Sequence, residues 1–160
     1  MIEVFTFKER ALLSPIAHDL RLVLEKYEVT FEGARVRVVC HAQSLRVDGA
    51  VKEGRIEPMS EKDRREIDRN ARETVLKAGR FPLIRFEGVR EEGAVVGELE
   101  LNGVKRPIRI AYTVEGDAAL GQVEIAPSRW GIQPYKALLG ALRLQDRVIV
   151  RFDVPLPGTA

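Results

Sequence analysis

The stretch Val95-Val-Gly-Glu-Leu-Glu-Leu101-Asn-Gly-Val-Lys-Arg-Pro-Ile108-Arg-Ile-Ala-Tyr112 decides the fold class. Asn102-Gly103 at its centre is the strongest short hairpin signal in the chain, because both residue types tolerate the positive φ that a two-residue turn demands. Beyond the turn, Ile108, Ile110, Tyr112 and Val114 recur at every second position. That spacing puts them on one face of a strand. Working outward, the period of two continues in both directions. Ile2, Val4 and Thr6 alternate against Phe5 and Phe7, and Leu20, Leu22 and Leu24 alternate until the phase slips at Glu25 and Lys26. Tyr27, Val29 and Phe31 then resume the pattern, so a β-bulge that curves one long strand is expected at the slip. Val36, Val38 and Cys40 begin a strand running toward Leu45 and Val47; Ile84 and Phe86 share a face; Val123 and Ile125 point inward; Val148, Val150, Phe152 and Val154 close the chain before Pro155 and Pro157.

Helical texture is concentrated in one segment. Ser60 followed by Asp63 is a variant of the capping box, and Glu61 and Asp63 suit the positive end of a helix dipole. Ile67, Ala71 and Val75 recur every four residues and form one narrow apolar stripe, with Arg72 on the exposed side and Gly79 as the stop. The reading is a mainly β chain with an α-helix inserted at residues 60–77 and a short helical turn at about 134–143 after Pro134. About eight strands, most joined by tight turns, imply antiparallel order. One helix cannot cover so many apolar faces, so the expectation is a closed, lipocalin-like antiparallel barrel.

At 160 residues the chain is expected to form a single domain over residues 1–160, large enough to bury a real core. Cys40 is its only cysteine, so no internal disulfide forms. The start, Met-Ile-Glu-Val-Phe-Thr-Phe-Lys, lacks the basic and apolar regions of a secretory signal, and a cytoplasmic location is expected. No run approaches the roughly 20 apolar residues of a transmembrane segment. The 26 basic and 24 acidic side chains interleave. Even the densest basic group (Lys62, Arg64, Arg65, Arg69 and Arg72) is laced with Glu61, Asp63, Glu66, Asp68 and Glu73, which argues against nucleic acid as a partner.

His18-Asp19 and Cys40-His41 are the only residues that invite a catalytic or metal reading. Zinc sites take three or four ligands, and adjacent strand residues point to opposite faces, so Cys40 and His41 cannot share one. No catalytic residue, metal site or cofactor is assigned.

Several stretches together resemble the YceI-like family of bacterial proteins. They are Leu99-Glu-Leu-Asn-Gly-Val-Lys-Arg-Pro-Ile108, Phe81-Pro82-Leu83-Ile84-Arg85-Phe86, Ser128-Arg129-Trp130-Gly131-Ile132, and His18 early in the second strand. The resemblance spans nearly the whole chain, with Trp130 where the family has phenylalanine, and marks a divergent branch without a signal peptide. It implies a barrel whose lumen holds a polyisoprenoid or other lipid. The lumen-lining residues expected from strand parity and the turn after Pro134 are Leu20, Leu22, Ile84, Phe86, Ile108, Ile110, Trp130, Leu138, Leu142 and Val150. The expected function is a binding or carrier protein for an extended apolar small molecule, an isoprenoid or fatty chain, and not an enzyme. The alternative is a ligand-free module with a self-filled core, which could be a homodimer. Alternation reports which face a side chain takes and leaves open whether the interior is hollow.

Overall fold

The computed structural model describes residues 1–9, 18–137 and 142–157. Two antiparallel sheets enclose the interior. The first runs in the order β10 (Thr113–Glu115), β11 (Ala118–Ile125), β13 (Leu142–Pro155), β1 (Ile2–Lys8), β2 (Asp19–Leu24), β5 (Leu45–Lys52) and β6 (Arg55–Glu57), with β12 (Lys136–Ala137) added to β13. The second runs β3 (Tyr27–Glu32), β4 (Arg35–His41), β7 (Leu83–Glu91), β8 (Ala94–Leu101) and β9 (Val104–Ala111). The β8–β9 hairpin turns at Asn102 (φ 55) and Gly103 (φ 72), as the dipeptide predicts. Gly88 and Gly97 face each other across β7 and β8, and a Cβ on Gly97 would collide with the backbone of Glu87 and Gly88. Only glycine permits that approach.

Three of the strands read from alternation turn out to bend from one sheet into the other. The phase slip at Glu25 and Lys26 is such a corner and not a bulge within one ladder: β2 belongs to the first sheet and β3 to the second. The strand expected from Val36 to Val47 is likewise broken by a 3₁₀ turn at Ala42–Ser44, and Tyr112 separates β9 from β10. The first two corners are tied together, since the Lys26 amide donates to Ser44 Oγ (2.9 Å) and the His41 amide donates to the Lys26 carbonyl (2.9 Å). Strands that switch sheets at corners are how orthogonally packed sheets share a core.

Counting each bent strand once, eight strands among the described residues surround the interior in the order β1, β2–β3, β4–β5, β7, β8, β9–β10, β11, β13 and back to β1. The expected closed ring of hydrogen bonds is nevertheless incomplete. The β4–β7 ladder ends at His41 and Leu83, so β5 pairs on that side only with β6, and β10 meets β11 over only three residues. Beside β5 stands the helix. It packs on β5, where Asp68 Oδ1 accepts from the Val47 amide (2.6 Å) and Arg72 Nε donates to the Leu45 carbonyl (2.6 Å). Helix side chains thus satisfy strand groups that a neighbouring strand would otherwise take.

That helix, α1 (Glu61–Arg69), starts where expected: Ser60 Oγ accepts from the Asp63 amide at 3.1 Å. It does not stay α-helical to residue 77. From Asn70 to Val75 the winding loosens to π, with the Leu76 amide donating to the Ala71 carbonyl (2.9 Å). The left-handed residue that ends it is Lys77 (φ 50), two positions before the glycine expected to do so. Arg72, expected on the exposed side, is half-buried through its bond to Leu45. The short helical turn expected at about 134–143 is also corrected. Lys136–Ala137 forms β12, β13 begins at Leu142, and the two pair through Lys136 with Arg143 and Ala137 with Leu142; residues 138–141 lie outside the described residues.

A buried cluster joins the two sheets at one end. Ile2, Leu22, Leu24, Cys40, Leu45, Val47, Ala119 and Val154 form it, with Tyr27, Tyr112 and Leu156 against it. Among the described residues no helix is long and apolar enough to cross a membrane.

Candidate ligand-binding cavity

Above that cluster the two sheets do not meet. They leave a cavity of about 840 Å³, walled by both sheets and by the inner face of the helix. Its shape follows from register. Val4 of β1 lies opposite Leu22 of β2 and Val150 of β13, and Val150 lies opposite Val123 of β11, so one rung of four aliphatic side chains lines the first sheet. On the second sheet Val38 faces Phe86, Phe86 faces Leu99, and Ile108 and Ile110 continue the wall on β9. Ile67, Ala71 and Val75 close the side between β5 and β7, which is the stripe read from their four-residue spacing.

Seven of the residues expected in the lumen stand on this wall: Leu20, Leu22, Ile84, Phe86, Ile108, Ile110 and Val150. Trp130 does not. It is wholly buried outside the wall, at the end of a 3₁₀ turn, Pro127–Trp130, where strand parity ceases to apply. Its indole N–H donates to the Leu99 carbonyl (2.9 Å) and its own carbonyl accepts from Asn102 Nδ2 (3.0 Å), so it clamps the β8–β9 hairpin. Gly131 follows with φ 75 and reverses the chain. Leu142 opens β13, paired with Ala137, and Leu138 lies outside the described residues.

The end of the wall remote from the buried cluster is polar. Thr6, Lys52 and Gln145 lie there on the first sheet, His18 just before β2, Gln133 and Tyr135 on the segment after the 3₁₀ turn, and Asp63, Glu66 and Asn70 on the helix. Lys52 pairs with Glu57 at 3.3 Å, and the Lys8 amide donates to Asp19 Oδ1 at 2.8 Å. Partial burial, reinforced by Lys52 and Lys8, pulls the His18 imidazole below its ordinary pKa and favours its neutral form. Cys40 sits on the wall beside Ile84, and burial pushes its thiol up to about 11. That thiol is protonated at neutral pH and a poor nucleophile. Among the described residues no three His, Cys, Asp or Glu side chains converge as metal ligands would.

Sequence reading passed over several wall residues. Tyr112 and Phe152 carried the right parity, and so did Arg90, which shares the inward face of β7 with Ile84 and Phe86. The helix carboxylates Asp63 and Glu66 had no strand parity to betray them, since their place depends on how α1 docks.

A search among solved structures returns proteins of the same architecture. One is a polyisoprenoid binding domain from Saccharophagus degradans implicated in plant cell wall breakdown, with a TM-score of 0.64 and 10% identity, covering 98% of this chain and 93% of that one. Another is BcnA of Burkholderia cenocepacia, with a TM-score of 0.57 and 15% identity, covering 95% of this chain and 94% of that one. A third is the YCEI protein of Campylobacter jejuni, with a TM-score of 0.58 and 12% identity, covering 87% of this chain and 85% of that one. At these identities the likeness is one of fold. No curated protein matches the chain. The profile of the YceI-like domain matches residues 14–156, from before β2 to the end of β13, and the chain therefore belongs to the YceI-like family.

Proposed function

We propose that the protein is a carrier that encloses an extended apolar molecule, an isoprenoid tail or a related lipid chain, between its two sheets. The observation that carries this reading is the cavity itself. Its volume of about 840 Å³ falls within the roughly 300–1,000 Å³ typical of small-molecule sites. The wall is predominantly aliphatic, with most of its polar groups gathered toward one end and Arg90 apart from them, which suits a ligand whose tail is held largely by area. Some hundreds of Å² of apolar surface at about 25 cal/mol per Å² supply several kcal/mol before ordering costs. A self-filled core accounts less well for this space. Among solved proteins of this fold, a polyisoprenoid binding domain supports the choice of ligand class. The reading assigns no catalytic step.

Native mass spectrometry of gently purified protein, compared with the same sample after denaturing extraction, tests it directly. The expected result is an added mass that extraction releases as a lipid, together with uptake of a fluorescent isoprenoid analogue by the emptied protein. A bare polypeptide mass and no uptake would overturn the carrier reading in favour of a water-filled or solid module.

A further inference from the structure

Only two buried side-chain nitrogen or oxygen atoms lack a hydrogen-bond partner among the described residues, Thr6 Oγ1 and Arg90 Nε, and both residues line the cavity. Buried polar atoms are almost always paired, so an orphan on a cavity wall marks a place where an occupant, water or ligand, completes the bonding. Arg90 is the more informative of the two. It stands on β7 six residues beyond Ile84, about 20 Å further along the strand at roughly 3.3 Å per residue. Around it the wall is otherwise apolar, with Phe31, Val36, Val95 and Ile110. Its Nη2 donates to the Gly33 carbonyl (2.7 Å) and its Cζ lies 5.7 Å from the centroid of Phe31, which hold the guanidinium in place. It takes part in none of the ion pairs among the described residues.

Resting on the carrier reading, we infer that Arg90 is a recognition site for an acidic head, a carboxylate, on the enclosed chain. An arginine presents several N–H donors in a planar fork that matches a carboxylate, and its charge cannot be discharged by deprotonation. The orphan Nε–H and the second hydrogen of Nη2 form one edge of that fork. A carboxylate seated there would pair the cation and satisfy the orphan donor, while the tail runs along Phe86 and Ile84 toward the buried cluster around Cys40. The preferred ligand is then a long-chain acid whose head sits beside the β3–β4 turn at Gly33, distinguished from a neutral chain of the same length by Arg90.

The experiment compares parinaric acid with its methyl ester, by fluorescence, in the unaltered protein and in Arg90→Met and Arg90→Lys. The tail is the same in both probes, so the ratio isolates the head. The expected result is that the acid binds at least about tenfold more tightly than the ester, as a charge-assisted pair provides. Arg90→Met should abolish the ratio while leaving ester affinity within about threefold, and Arg90→Lys should keep part of it. Equal binding of acid and ester by the unaltered protein would overturn the Arg90 inference and leave the carrier reading standing. So would equal loss of both probes in a folded Arg90→Met protein, which would make Arg90 mere wall packing. Binding of neither probe would overturn the Arg90 inference, while the carrier reading is decided by the isoprenoid uptake and native mass described above. Should Arg90→Met fail to fold, the ratio in the unaltered protein still decides.

Discussion

Val150 is the position at which enlarging one side chain separates a hollow interior from a filled one. It sits mid-wall on β13, opposite Val4 on one side and Val123 on the other, and its side chain faces the cavity of about 840 Å³. In a filled core, Val150→Phe would force extra heavy atoms among packed neighbours and cost about 1–3 kcal/mol through strained rotamers. Here the ring has the cavity to enter, and stability is expected to change by under about 1 kcal/mol, the strain of insertion being avoided. The ring then occupies space a ligand would use. If it denies contact to three or four methylene groups at about 0.8 kcal/mol each, the loss is about 2.5–3 kcal/mol, or roughly a hundredfold in Kd. The assay is a urea midpoint for both proteins together with titration of a fluorescent isoprenoid analogue. A midpoint shift equivalent to 2 kcal/mol or more (on the order expected of a filled core) with unchanged binding would refute the reasoning. Unchanged values for both would show that Val150 does not face the ligand.

Three further outcomes are expected. Ala71→Asp puts a carboxylate between the helix and the wall and should cost about 1–3 kcal/mol, while Glu73→Lys on the exposed side stays within about 0.5 kcal/mol in thermal or urea unfolding; equal effects would reverse the docking face of the helix. Trp130→Phe keeps much of the ring but strands the Leu99 carbonyl, for an expected loss of about 1–3 kcal/mol in urea with ester binding little changed; loss of binding without loss of stability would put the indole on the cavity wall after all. Cys40, with its thiol raised from 9.0 to about 11, should carry about a hundredfold less thiolate at pH 8 than an unperturbed thiol and be alkylated correspondingly slowly until the protein unfolds. The raised value also means that the folded state holds this proton more tightly. Its contribution to stability is present below pH 9 and is lost as pH rises toward 11, which urea midpoints across that range would register; a Cys40→Ala variant with the same pH slope would contradict the assignment.

Where the inward residues stand follows from sequence alone. In a strand each side chain alternates between faces, so the parity of Ile2, Leu20, Ile84, Ile108 and Val150 carries the wall of the cavity, and Asn102-Gly103 carries the hairpin that aligns two of its strands. The same is true of the start and inner stripe of the helix, because a Ser60 cap and a four-residue period act over a single turn or two. Tertiary structure alone decided three other things. It made Glu25–Lys26 a corner between sheets, since a phase slip is the same in sequence whether the strand bulges or changes partner. Trp130 was moved off the wall by the 3₁₀ turn that carries it, where alternation no longer governs direction. The helix, docked on β5 through Asp68 and Arg72, became part of the cavity wall, and the separation of two walls is a distance that no periodicity along one strand contains.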